Sequence, residues 1–305
     1  MAGGFMKLLR APLAPAEAYA RMAAAVGEDL AGSVVPGHGR ERDPFMLRDP
    51  AYIAGTLSAL RMTSALYFRA DVRGLEHIPP EGPVLLVGNH SGGTWIADTF
   101  IFAQHFYDHF GAQRRFHQLA HDLLFKVPGL RILAQRYGTV PASPANMSRA
   151  LKRGAALLVY PGGDHETFRP SWESDQVDFA GRTGFIQLAL EHDIPIVPVT
   201  SIGGQETALF LGQGRGLARA LKLDERFRLK VLPAVLGPPF GVTIMDLPAR
   251  FPLPAKISIR VGKPIDLRER LGSRPDPDEA YTLVTSTIQR TLTRLSNQRS
   301  LPIVG

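Results

Sequence analysis

The sequence predicts an α/β domain, a mostly parallel sheet flanked by helices, with an N-terminal helical appendage. Three observations predict it. From residue 71 onward, short apolar runs of strand character alternate with helical segments, the alternation that builds parallel sheets. The runs "VLLVG", "ALLVY" and "IPIVPV" are apolar at nearly every position, as strands covered on both faces must be. Each of these runs leads into a glycine-rich polar segment ("GNHSGG", "YPGGDHETFRP", "TSIGGQET"), and ligands gather at the carboxyl ends of strands in open α/β sheets.

In chain order, residues 1–49 read as the appendage. "APAEAYARMAAAVGEDLAG" is rich in helix formers and stops at glycine, and "SVVPGHGRERDP" reads as a polar linker. Residues 50–305 form the α/β domain. It opens with a helix over 50–70 whose Ile53, Leu57, Leu60, Ala65 and Leu66 suit either packing on the core or lying on a membrane. The strands expected next are "ADVRGL", "GPVLLVGN", "RRFHQLA", "YGTVPA", "AALLVYPGG", "IPIVPVTSIGG" and "KISIRVGKPI". Helices are expected over "TWIADTFIFAQHFYDHFG", "SPANMSRALKRG" and "RTGFIQLALEHD". Residues 211–256 mix Arg215, Arg219, Lys222, Arg226, Arg228 and Lys230 with apolar side chains. That mixture suits an interfacial segment on anionic lipid, or a solvated helix followed by a packed loop. The last segment, 267–305, holds an amphipathic packing helix.

Composition narrows the chemistry. The 305 residues include no cysteine, which excludes thiolate nucleophiles, disulfides and cysteine-ligated zinc. The net charge of +7 favours anionic partners. The N-terminus has no long apolar stretch of secretory type, and no run of about 18 apolar residues suggests a membrane span. The expectation is a chain that lies on a membrane if it meets one.

His90 is the first candidate for catalysis. A neutral imidazole takes a proton from a hydroxyl near neutral pH, and a carboxylate behind it fixes the tautomer. Asp98 is the candidate partner, eight positions on. A continuous helix would separate the two by about 12 Å. Contact therefore requires Gly92 and Gly93 to loop, with Thr94 as the expected N-cap. Asn89 and Ser91 flank His90 and are candidate substrate-binding residues. In the second segment Gly162 and Gly163 allow close backbone approach to a ligand, Arg169 is a candidate phosphate clamp, and Glu166 is placed to position substrate. In the third, Gln205 and Glu206 are as compatible with a plain turn as with a site. His105 with His109 and His117 with His121 have the spacing of helical metal pairs, but HExxH is absent and no metal site is expected. There is no G-x-S-x-G elbow and no P-loop.

Taken in order, these segments resemble the glycerolipid (lysophospholipid) acyltransferase superfamily over about residues 70–265. "VLLVGNHSGGTWIAD" resembles its first block, "GTVPAS" the second, "LLVYPGGDHETFR" the third and "IPIVPVTSIGG" the fourth. Two departures point to a side branch. Most members read His-x4-Asp, whereas here Trp95 stands at the fifth position after His90 and the aspartate is Asp98. Gly162 stands where most have glutamate, as in the diacylglycerol-acyltransferase-like branch with Pro-Gly-Gly followed by Glu. The resemblance implies that His90, oriented by Asp98, deprotonates an acceptor hydroxyl that attacks the thioester of acyl-CoA or acyl-carrier protein. It implies no cofactor, a lipid acceptor, an anionic membrane surface at the cytoplasmic face, and no nucleic-acid partner. A non-catalytic lipid-binding protein on the same fold, or a metal-dependent lipid hydrolase using the histidine pairs, are the other readings.

Overall fold

The computed structural model describes residues 13–33, 43–223, 225, 229–246, 250–299 and 301. All seven expected strands form one sheet: β1 (Asp71–Arg73), β2 (Val84–Gly88), β3 (Phe116–Ala120), β4 (Thr139–Pro141), β5 (Ala156–Val159), β6 (Ile196–Ile202) and β10 (Ser258–Val261), in the order β1-β10-β6-β2-β5-β3-β4. Five of its six neighbouring pairs are parallel; only β10 runs against β6.

The continuous apolar runs have the expected cause. All five residues of β2 are buried, and alternate side chains serve opposite faces. Val84 and Leu86 join a core with α2 (Pro50–Met62) and α3 (Ala97–Phe110), through Ile53, Phe102 and Phe106. Leu85 and Val87 join a second core with α5 (Pro144–Lys152), α7 (Gly184–His192) and α10 (Pro277–Asn297), through Leu151, Ile186 and Val284. Each fully buried Leu or Val contributes about 1.5–3 kcal/mol relative to exposure. Helix α10 packs as expected: Asp276 caps it, Pro277 starts it, and Val284, Ile288 and Leu292 recur along one buried stripe. The short helices α4 (Leu130–Arg136), α6 (Asp164–Thr167), α8 (Arg215–Ala220) and α9 (Leu267–Leu271) complete the helical set named here.

The appendage contains α1 (Leu13–Ser33), which packs on the body. Tyr19 donates to the Ala59 carbonyl, and Asp29 pairs with Arg131 while accepting the Gly129 N–H. Residues 34–42 of the expected linker lie outside the described residues. From Asp43 the chain is bound into the body, with Asp43 held by Arg149 and Arg153 and Phe45 buried in the second core.

Two expectations need correction. The helix over 50–70 divides between its two readings. Ile53 and Leu57 are buried, but after Met62 the chain widens into a π-helical turn (Thr63–Tyr67) that leaves Ala65 and Leu66 exposed. Residues 211–256 are more than a helix and a packed loop. Helix α8 is flanked by β7 (Leu209–Gly212), β8 (Ala234–Gly237) and β9 (Gly241–Ile244), which form a separate antiparallel sheet. These strands are four residues long and punctuated by glycine and proline, too short for alternation to be visible in sequence.

Candidate active site

Strands β5, β2 and β6 are adjacent and parallel, so their carboxyl ends lie side by side and the three glycine-rich segments share one mouth. Asn89 ties two of them together. Its amide donates to the Ser201 carbonyl at 2.8 Å and its side-chain oxygen accepts the Ser201 N–H at 2.9 Å. Asn89 is fully buried, with both ends of its amide engaged by β6.

The loop required between His90 and Asp98 is present. Gly92 (φ 94°) and Gly93 (φ 64°) adopt left-handed conformations, and a 3₁₀ turn, Gly93–Trp95, follows. Helix α3 starts at Ala97, later than expected, and Thr94 is not its N-cap. The Thr94 N–H and hydroxyl are instead taken by the Asp246 carboxylate (2.6 Å) and carbonyl (3.0 Å) from the segment after β9. Asp98 therefore lies in the first turn of α3, where the helix dipole favours its charge, with Oδ2 3.4 Å from His90 Nδ1. The same oxygen accepts the Ser91 N–H (3.1 Å) and the Ser91 and Ser201 hydroxyls, while Oδ1 accepts the Thr99 N–H (2.7 Å) and hydroxyl.

This network assigns the His90 tautomer. Every other partner of Asp98 Oδ2 is a donor, so Nδ1 is the nitrogen that donates to it, and in the neutral ring the lone pair lies on Nε2. Nε2 makes no hydrogen bond among the described residues. The His90 ring stacks on Tyr160 at 4.1 Å and 9°, and the Tyr160 and Thr99 hydroxyls share a hydrogen bond of 3.1 Å. Burial, and then the charge of Asp98, hold the Tyr160 hydroxyl well above the ordinary tyrosine range, so it stays neutral.

Glycine at 162 makes room for Glu166. A side chain there would overlap the Glu166 carboxyl group, which occupies that space from α6. Glu166 is buried. Its Oε2 accepts the His90 N–H (3.2 Å), and its Oε1 accepts the Asp178 N–H (3.1 Å) and Arg169 Nη1 (3.3 Å). Gly163 (φ 50°) takes a conformation suited to glycine and donates its N–H to the Tyr160 carbonyl, whereas the Gly162 N–H has no acceptor among the described residues. Arg169 is buried, its Nη1 shared between Glu166 and the Gln176 carbonyl (2.6 Å). Gln205 joins all three segments, accepting from the Gly92 N–H (3.2 Å) and donating to the Arg169 carbonyl.

Burial raises Glu166 from 4.5 to about 7, against the opposing pull of Arg169. A folded-state value above the unfolded one means that ionisation costs the folded state. The contribution is fully present below pH 4.5 and is lost as pH rises through about 7. Thermal melts across that window should show the wild type losing stability relative to Glu166→Gln as pH rises. Parallel curves would contradict it.

Other histidines are otherwise engaged. His165 Nε2 lies 2.6 Å from Asp178, a pair that sequence reasoning missed, but Arg215 occupies its Nδ1. His117 lies on β3, not on a helix. It is buried, bound to the Gly138 carbonyl, and held near 4 by burial, so it is neutral. His121 accepts the Leu123 N–H, and His105 bonds the Ile101 carbonyl. Among the described residues no three His, Asp or Glu side chains group as metal ligands. Tyr160, Ser201, Arg182 and Asp246 were not singled out by the sequence. Arg182 binds the Pro161 and Gly162 carbonyls, both at 2.9 Å.

The family profile described as Acyltransferase matches residues 69–202, the stretch from β1 to β6 that carries His90, Asp98 and Glu166. Residues 69–202 thus match the acyltransferase family, in line with the resemblance to the glycerolipid acyltransferase superfamily read from the motifs. The chain is 31% identical over 240 residues to an uncharacterized protein of Mycobacterium tuberculosis, covering 77% of this chain and 64% of that one. It thus spans less than two thirds of that relative's length. It is 30% identical over 176 residues (58% of this chain, 52% of the other) to the human "DGAT1/2-independent enzyme synthesizing storage lipids". The crystal structure of the 1-acyl-sn-glycerophosphate acyltransferase PlsC from Thermotoga maritima shares the fold, with a TM-score of 0.53 at 17% identity over 96% of this chain and 99% of that one.

Proposed function

We propose that this chain moves a fatty acyl group from the thioester of acyl-CoA or acyl-carrier protein to a hydroxyl of a lipid acceptor. The observation that carries the reading is the free Nε2 of His90, on a ring fixed by Tyr160 and Asp98 at the mouth where three parallel strands end. Nε2 takes the acceptor's hydroxyl proton as the oxygen attacks the thioester carbonyl, and Asp98 stabilises the resulting imidazolium. The tetrahedral intermediate collapses, the C–S bond breaks, and the proton passes from Nε2 to the leaving thiolate. One ester and one thiol form, with no change in redox state. The Gly162 N–H is the donor available to the oxyanion. His90, Asp98, Gly162 and Glu166 do this work without a cofactor.

Two arginines near the turn are not presented to a ligand: the Arg169 guanidinium is buried, with Nη1 on Glu166 and Gln176 and with Nε and Nη2 unpartnered among the described residues, and Arg182 is held by Pro161, Gly162 and Asp164. That favours an acceptor without phosphate, a glycerolipid such as a diacylglycerol or a long-chain alcohol, over a lysophospholipid. The names of two relatives, the storage-lipid enzyme and the Arabidopsis thaliana "Phytyl ester synthase 2", fit a neutral acceptor. The enzyme meets it at an anionic membrane surface on the cytoplasmic side; no helix among the described residues is long and apolar enough to cross a membrane.

Thiol release from acyl-CoA is the test, with diacylglycerol, a long-chain alcohol and lysophosphatidate compared as acceptors. Release should depend on acceptor and be fastest with the neutral ones. If no acceptor raises release above donor alone while the protein still binds lipid, the non-catalytic reading takes its place.

A further inference from the structure

The small sheet β7–β9 is apolar on both faces. Inward, Phe210 and Val235 are buried with Ala208 and packed against Phe168. Outward, Leu209, Leu236 and Val242 stand in one cross-strand row, and Ile244 lies in the next row beside Ala234. Val242 is 65% exposed and Ile244 64%. A sheet face turned to water ordinarily carries polar residues. The apolar surface also continues past the sheet. Exposed Phe251 donates its N–H to the Pro238 carbonyl (2.8 Å), and the Tyr67 hydroxyl donates to the Pro252 carbonyl, bringing the exposed Leu66 turn alongside.

Charge identifies the occupant. Residues 209–256 hold eight Lys and Arg against three Asp and Glu, five of the chain's seven net positive charges. Arg219, Lys222 and Lys230, on the segment that joins β7 to β8, are exposed. An apolar sheet whose connecting segment carries exposed cations fits a bilayer containing anionic phospholipid, whereas a second copy would oppose one basic segment to another.

This face is also fastened to the catalytic loop. Asp246, two residues after β9, is buried and holds both Arg250 Nε (2.6 Å) and the Thr94 N–H (2.6 Å), and Arg250 reaches the Thr207 carbonyl (2.8 Å). Thr94 lies in the loop between His90 and Asp98. We propose that the outer face of β7–β9 docks the protein on anionic phospholipid, and that the Asp246–Arg250 pair ties the docked sheet to the loop that carries His90. The docking half stands without the acyl-transfer reading; the tie rests on it.

Sedimentation with vesicles of equimolar phosphatidylglycerol and phosphatidylcholine tests the docking, since pelleting needs no turnover. The wild type should pellet, less so at high salt. Val242→Asp/Ile244→Asp, and the milder Val242→Ser/Ile244→Ser, should bind at least about tenfold more weakly at unchanged melting temperature. Both should keep thiol release with detergent-dispersed acceptor. Asp246→Asn should pellet like the wild type and lose about tenfold in kcat at unchanged KM. Wild-type binding by both double variants would overturn the docking face. So would a wild type that ignores vesicles but self-associates through residues 242 and 244. Unchanged kcat in Asp246→Asn would overturn the tie.

Discussion

His90→Ala is expected to lower acyl transfer by roughly 10²–10⁴-fold, the usual contribution of a positioned general base. The fold should survive. The His90 N–H that holds Glu166 remains in the alanine variant, and the side chain's contacts are a long bond to Asp98 and a stack on Tyr160. Initial rates of thiol release, with melting curves beside them, check it. A stable His90→Ala enzyme with wild-type turnover would remove His90 from the mechanism.

Asp98→Asn should fail in two ways at once. Six donors converge on this carboxylate: His90 Nδ1, the Ser91 N–H and hydroxyl, the Ser201 hydroxyl, and the Thr99 N–H and hydroxyl. An amide turns an NH₂ toward some of them, and no rotamer avoids this. Activity should fall by roughly 10²–10⁴-fold as the His90 tautomer loses its anchor. Stability should fall by about 1.5–3 kcal/mol as donors to a buried charge are lost. The drop in melting temperature separates this variant from His90→Ala. Full activity in Asp98→Asn would show that the pair is not used, and an unchanged melt would show that Asp98 does not organise the loop.

The central sheet was legible because its strands are covered on both faces, which leaves runs of Val, Leu and Ile in place of the alternation of a half-exposed strand. The mouth was legible for the same reason, since glycine-rich polar segments stand out after such runs. What hid was long-range. Thr94 looks like a helix cap, but its donors are claimed by Asp246, 152 positions away. Asn89 beside a candidate base invites a ligand role, yet its amide is taken by Ser201, 112 positions on. Glu166 under the His90 backbone depends on the bare Gly162, a steric fact that only the folded turn displays. The small sheet hid because four-residue strands broken by Gly237, Pro238 and Pro239 leave no period to read.

The most direct measurement follows the acyl group itself. Acyl-CoA labelled with ¹³C in the acyl chain is incubated with a neutral lipid acceptor and the protein, and products are identified by mass spectrometry alongside the thiol released. The labelled chain should appear as an ester on the acceptor, one thiol per ester, in the wild type and not in His90→Ala. Absence of labelled ester from every donor and acceptor pair, or equal ester from His90→Ala, would contradict acyl transfer by His90.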